Sequence, residues 1–353
     1  MNPIAVYSGS TVLYWSAVII SVGLLAALFM SCAVQLSSRG RLVSMLLFFP
    51  LAILFSIPLC RALHWYCHQE QYGSLLAALT NYSSGSYVLS AAIPGVWLAA
   101  WIAAKLDDGD TAKLLDAAAP GIALAVAFIR LSSLFNSSCR SKIPVTTGLL
   151  QHLPLAAGIT NSAGVTEYRF ATFFVHFLLM LLLCHALLRF FYRRRYVPMR
   201  AGRFQGCTID LFLLFYSASE LVLDSTRYDS SFLPVNGFVS IVQILAAVCM
   251  LLLLIRYSCL SIRAIGVRWW HWLLWILWIA ALGVGGFMEY LVQRHGNWYL
   301  GCYAAMGLCC FLLAAIVYRL YLNCCGRVLS AEFEDDDAAE DEAEESEEAP
   351  AEA

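Results

Sequence analysis

Long apolar runs, separated by short polar stretches, recur along the whole chain. They fall near residues 11–36, 42–63, 86–105, 114–136, 170–192, 207–224, 237–257, 270–291 and 299–322. A helix of about 20 mostly apolar residues spans the hydrocarbon core of a bilayer, and helices and closed barrels alone satisfy the backbone there. The pattern predicts an all-α fold, a polytopic transmembrane helical bundle of about nine helices.

Basic residues cluster in alternate loops. Arg39 and Arg41 follow the first run, Lys105 and Lys113 the third, and FYRRRYVPMRAGR the fifth. Arg256, Arg263 and Arg268 follow the seventh, and Arg319 and Arg327 end the ninth. The intervening loops are poorer, holding Arg140, Lys142, Arg169, Arg227 and Arg294, with Arg61 closing the second run. Because cytoplasmic loops carry the Lys/Arg excess, the N-terminus is expected outside and the C-terminus in the cytoplasm. MNPIAVYSGS has no basic stretch before its apolar run, so no cleavable signal is expected. The longest outer connection, residues 137–168, is too long and polar for a simple turn and is expected to fold over the outer face.

Composition sharpens this picture. With 61% hydrophobic and 13% charged residues, the chain cannot be an ordinary soluble domain. The net charge of -2 hides a division: 13 of 24 acidic residues lie between Glu332 and Glu352, so the rest sets 22 basic residues against 11 acidic. The tail after Ser330, mostly Asp, Glu and Ala, cannot bury enough apolar surface to offset ordering and is expected to be disordered. Most of the 13 cysteines, Cys32, Cys184, Cys249 and Cys302 among them, read as small membrane-core residues and not as a disulfide framework. His64, Cys67 and His68 share a helical face but supply only three ligands, so no metal site is expected. The glycines match no Walker or Rossmann fingerprint. No cofactor and no nucleic-acid partner is expected.

Charges at membrane depth are costly and usually mark a functional pathway. In FLLFYSASELVLDSTRYD, Tyr216, Glu220, Asp224 and Arg227 recur at helical spacing and form one stripe. Arg130, in AVAFIRLSSLFNSSCR with Ser132, Ser133 and Asn136 nearby, and Arg61, in IPLCRALHWY, also sit toward outer helix ends. The planar donor fork of arginine suits phosphate. Two readings follow: Arg61, Arg130 and Arg227 cradle an anionic phospholipid headgroup, or an arginine closes a structural network with Glu220 and Asp224. Asp116 reads as a first-turn helix acid favoured by the helix dipole. A transporter is a third class, against which stands the lack of an internal repeat.

These motifs together resemble the bacterial prolipoprotein diacylglyceryl transferase family. Asp116, Pro120, Arg130 and the run RLSSLFNSS are similar to its signature region, G-R-x-G-N-F-x-N-x-E after D-x-x-x-P. GCTIDLFLLFYSASELVLDSTRYD resembles its F-L-x-x-Y-x-x-x-R-x-x-x-E-x-x-R helix, with Tyr216 and Arg227 in place, and SIVQILA, with Ser240 and Gln243, resembles the S-x-x-Q-I-L segment after it. VLYWSAVIISVG is similar to the opening L-x-W-Y helix, and Arg61 takes the place of the G-G-R motif. The resemblance covers residues 10 to 258. It divides the chain into a seven-helix domain, 1–258, two added helices, 259–330, and an acidic tail, 331–353.

The resemblance implies an enzyme of the bacterial cytoplasmic (inner) membrane, needing no metal. Its donor is phosphatidylglycerol and its acceptor the lipobox cysteine of a prolipoprotein, with glycerol phosphate released. It implies substrate contacts from Arg61, Arg130, Ser133, Asn136, Tyr216, Arg227 and Gln243. The family histidine of H-G-G falls on Ser90, the signature Asn on Ser133, and the signature Glu on or beside Ser138; the arginine and glutamate of the tyrosine helix become Glu220 and Asp224. Asp224 or Glu220 is then the candidate base. The alternative is a catalytically silent relative that binds an anionic phospholipid or a membrane partner.

Overall fold

The computed structural model describes residues 4–8, 11–80, 87–135, 139–160, 166–194, 206–234, 237–296 and 298–347. Its helices are α1 (Trp15–Ser37), α2 (Leu42–Cys67), α3 (Leu75–Thr80), α4 (Ala92–Leu106), α5 (Thr111–Leu131), α6 (Gly148–Gln151), α7 (Thr172–Arg194), α8 (Cys207–Thr226), α9 (Ile241–Ile265), α10 (Trp269–Arg294) and α11 (Tyr299–Glu347). Eight described helices are long and apolar enough to cross a membrane. The remaining long helix, α8, has 20 residues but carries Asp210, Glu220 and Asp224. The chain is a multi-pass membrane protein built as an all-α bundle.

The departures from the sequence reading lie at the ends of elements. Residues 11–14 form a strand, β2 (Thr11–Tyr14), paired antiparallel with β1 (Ile4–Ser8), so the first helix begins at Trp15. Thr, Val and Tyr fit a pleated strand better than a helix start. At the other terminus, α11 stays helical to Glu347, through the stretch whose composition predicts disorder. Ala and Glu are strong helix formers.

α8 lies at the centre, packed against α5, α7, α9 and α11. Most of its residues, the three carboxylates included, are buried by these neighbours. Among those eight helices α5 is the most enclosed, with 72% of an 18-residue apolar stretch buried against 17% in α10. Its sequence explains why. Ala117, Ala118, Ala119, Gly121, Ala123 and Ala127 remove side-chain bulk, letting neighbouring backbones approach. A Cβ on Gly121 would lie 2.0 Å from Ser31 Oγ and 2.7 Å from Ala27 O of α1.

Two devices fix α8 along its axis. Asp116 of α5 accepts hydrogen bonds from the backbone N–H of Gly206 (2.9 Å), Thr208 (2.8 Å) and Ile209 (3.0 Å). It is not a first-turn acid of its own helix, as its sequence position suggests; it caps the neighbouring one, where free N–H groups need an acceptor. Gly206 has φ +92°, a left-handed turn that favours glycine. At the opposite end the long connection folds back onto α8. Lys142 N and Ser141 Oγ donate to Thr226 O at 2.8 and 3.0 Å, and Tyr228 N donates to Arg140 O at 3.0 Å. This connection also holds the hairpin of β3 (Ala156–Thr160) and β4 (Thr166–Phe170). The expected fold-over is thus present at this end.

Candidate functional site

The charged stripe of α8 runs into this covered end. Tyr216, Glu220 and Asp224 are all buried, the two carboxylates fully so. Arg130, in the last turn of α5, donates from Nη2 to Glu220 Oε1 at 2.5 Å and from Nη1 to Cys139 Sγ at 3.3 Å. His176, on the second turn of α7, sets Nε2 3.8 Å from Glu220 Oε1. Its ring lies 6.2 Å from that of Tyr216, which stacks on Phe212 at 5.5 Å. Ser90, in the 3-10 turn Leu89–Ala91 leading into α4, places Oγ 3.3 Å from Tyr216 Oη. Four elements therefore meet around Glu220 and Tyr216. Arg130 Nε, His176 Nε2 and Glu220 Oε2 are buried without a hydrogen-bond partner among the described residues.

One turn further, Arg227 leaves the helix as its C-cap, in extended geometry. Nη1 donates to Asp224 Oδ1 at 3.0 Å; Nε and Nη2 donate to the two oxygens of Asp229, each at 3.1 Å. Asp229 Oδ2 also accepts from Cys139 N at 3.1 Å, holding a cysteine with φ +56°. Non-glycine residues in that region are strained and are found at functional sites. Burial alone would raise the Asp229 carboxyl, but the Arg227 guanidinium outweighs it and holds the group below the usual carboxylate range.

Several expected roles change in this geometry. Both Asp224 oxygens accept hydrogen bonds, Oδ1 from Arg227 Nη1 and Oδ2 from Ser240 Oγ at 2.5 Å, which ties this carboxylate to the start of α9. Gln243 forms a capping box with Ser240 and donates to Leu221 O at 3.1 Å, tying α9 to α8. Arg61 donates to Ala78 O from Nε and Nη2, at 3.0 and 2.6 Å, and lies over the Tyr87 ring at 5.1 Å. Those contacts bind α2 to α3; Arg130 and Arg227 instead converge on the α8 stripe. Ser133 is buried in the turn Ser132–Phe135 just after Arg130. Asn136 and Ser138 lie outside the described residues.

The His64 and His68 rings stack at 4.2 Å, and no group of three or more His, Cys, Asp or Glu residues among those described is placed to hold a metal. The added helices dock onto the same end of α8. Glu289 of α10 accepts from Ser225 Oγ on Oε2 and from Gln293 Nε2 on Oε1 at 2.8 Å, and Gln293 Oε1 accepts from Lys142 Nζ at 2.9 Å.

Sequence reasoning passed over His176, Cys139, Asp229 and Glu289. The signal for His176 was present: a lone imidazole in FFVHFLLM, inside an apolar span, is as anomalous as the arginines. Cys139 and Asp229 gain their positions from a loop folding back, which no local pattern encodes.

The arrangement pairs two guanidiniums with three carboxylates and keeps an imidazole and a phenol beside them. It offers cationic donors for an anionic leaving group, and a carboxylate–imidazole pair for proton transfer.

Comparison with known proteins gives this arrangement a setting. Residues 3–255 match the family model described as "Prolipoprotein diacylglyceryl transferase". A Clostridium botulinum (strain Langeland) protein named phosphatidylglycerol–prolipoprotein diacylglyceryl transferase is 25% identical over 258 residues, covering 71% of this chain and 94% of the relative. A protein of that name from Streptococcus equi subsp. zooepidemicus (strain MGCS10565) is 26% identical over 258 residues, 70% of this chain and 93% of the relative. Another, from C. botulinum strain Loch Maree, is 31% identical over 159 residues, 44% of this chain and 60% of the relative.

Proposed function

This chain belongs to the prolipoprotein diacylglyceryl transferase family, and on that premise we propose that it moves a diacylglyceryl group from a phosphatidylglycerol-like donor to a thiol, the lipobox cysteine of a prolipoprotein. One observation carries the reading. Arg130 and Arg227, from separate spans, meet on the Tyr216–Glu220–Asp224 stripe at one end of the bundle. The acceptor sulfur forms a bond to the terminal glycerol carbon of the donor, the bond from that carbon to the phosphate oxygen breaks, and glycerol phosphate leaves with the electron pair. The guanidiniums stabilise the charge on that phosphate, and Tyr216 and Ser90 orient the glyceryl portion. In this reading residues 1–258 form the transferase unit in the bacterial cytoplasmic membrane, with the site on its outer side. Residues 259–330 brace the unit, and 331–353 form a cytoplasmic tail.

The test is release of glycerol phosphate by purified protein in vesicles holding phosphatidylglycerol and a lipobox peptide. An Arg130→Lys variant keeps a cation beside Glu220 but loses the fork, and its rate should fall by about 10²- to 10³-fold, as on removal of one stabilising donor. Wild-type release equal to that variant would refute the reading. A second reading is a catalytically silent lipid binder. It is favoured by the engagement of Arg227, which commits three of its five N–H donors, from Nε, Nη1 and Nη2, to Asp224 and Asp229. Phosphatidylglycerol binding without any release would select it.

A further inference from the structure

Ser90 stands where the family pattern has a histidine, and Glu220 where it has an arginine. The structure sets an imidazole beside both. His176 of α7 and Ser90 from the α4 side border the same tyrosine, one by ring contact at 6.2 Å and the other through its hydroxyl at 3.3 Å. His176 is 2% exposed, and neither its Nε2 nor the nearby Glu220 Oε2 has a hydrogen-bond partner among the described residues. A buried polar atom left unpaired costs about 1–3 kcal/mol, which a purely structural histidine gives no reason to bear. The charge reversal at position 220 fits the same picture. An arginine there would repel a protonated imidazole 3.8 Å away, whereas Glu220 stabilises it.

We propose that His176, held against Glu220, is the catalytic base that takes the proton of the acceptor thiol, so that the imidazole absent from the α4 side of Tyr216 is supplied from α7. The inference rests on the transferase reading. Neutral His176 accepts the thiol proton at Nε2 as the sulfur forms its bond to the donor's glycerol carbon, and the carbon–oxygen bond to phosphate breaks. The imidazolium so formed is stabilised by Glu220, and the proton returns to solvent or to the departing glycerol phosphate. The charged groups facing His176 are Glu220 of α8, Arg130 of α5 and Arg227 at the end of α8.

The experiment follows initial transfer rates in phosphatidylglycerol vesicles for wild type, His176→Asn, His176→Gln and the double variant His176→Asn/Ser90→His. Both single variants should lose about 10²- to 10⁴-fold in kcat with KM for the lipid retained. The double variant, which returns an imidazole to the other side of Tyr216, should regain turnover. Two single variants guard against one failing to fold, as checked by melting temperature. A wild-type rate in folded His176→Asn or His176→Gln overturns the inference and leaves the transferase reading standing. A wild-type enzyme with no turnover above Arg130→Lys overturns both.

Discussion

Consider Arg130→Met. The Arg130–Glu220 pair is buried on both sides, with the side chains 8% and 1% exposed. At 2.5 Å and an effective dielectric of about 20, its Coulomb attraction is about 7 kcal/mol. Taking each ion out of water costs several kcal/mol, so the pair is close to balanced against an apolar replacement. Removing one partner is another matter: Glu220, wholly buried, keeps its desolvation cost and loses its main compensation. The expected destabilisation is about 3–5 kcal/mol. In the double variant Arg130→Met/Glu220→Leu the stranded charge is gone, and stability should return to within about 1 kcal/mol of wild type, a coupling well beyond that of independent sites. Reversible unfolding in mixed micelles with rising SDS measures all four corners of this cycle. A double variant no more stable than Arg130→Met alone would show that the pair is not the electrostatic unit described here.

Three further outcomes follow from the packing and the caps. Gly121→Ala forces its Cβ against Ser31 Oγ and the Ala27 carbonyl, and should cost about 1–3 kcal/mol through displacement of α1; an unchanged melting temperature would contradict that close approach. Asp116→Ala strands the N–H groups of Gly206, Thr208 and Ile209 and should cost about 1–2 kcal/mol, seen as faster amide exchange at the start of α8. Asp229, held below the ordinary carboxylate range by Arg227, contributes stability that is complete above the unfolded value of about 3.9 and is lost as pH falls through its lower folded value. Melting temperatures of wild type should therefore fall more steeply with acid below about pH 4 than those of Asp229→Asn, and parallel curves would refute this role.

The helical spans were legible because apolar runs of membrane length have one structural solution. The α8 stripe was legible because Tyr216, Glu220, Asp224 and Arg227 recur at helical spacing. Partners across space were not. Asp224 looks like a base in sequence, yet Ser240, placed by the start of α9, donates to its second oxygen. Gln243 matches a motif position, but its carbonyl oxygen closes a capping box and its amide reaches Leu221 O. Arg61, like Arg130, lies toward the C-terminal end of its helix, but α3 offers it the Ala78 carbonyl. His176 carries no motif, and only the packing of α7 against α8 gives it a carboxylate. Each difference arises where a tertiary neighbour, unknown to the local pattern, satisfies a group that sequence alone leaves available.

The grip of α5 on α8 at two separate levels has a mechanical meaning. Asp116 takes hold of the first turn and Arg130 of the fourth, from points about 21 Å apart along one helix at 1.5 Å per residue. Two rods pinned at two stations move as one beam, barred from sliding or swivelling against each other. For a lipid to enter between spans, the yielding parts must be the walls around that beam, with α4 and α7 the flanks that border Tyr216.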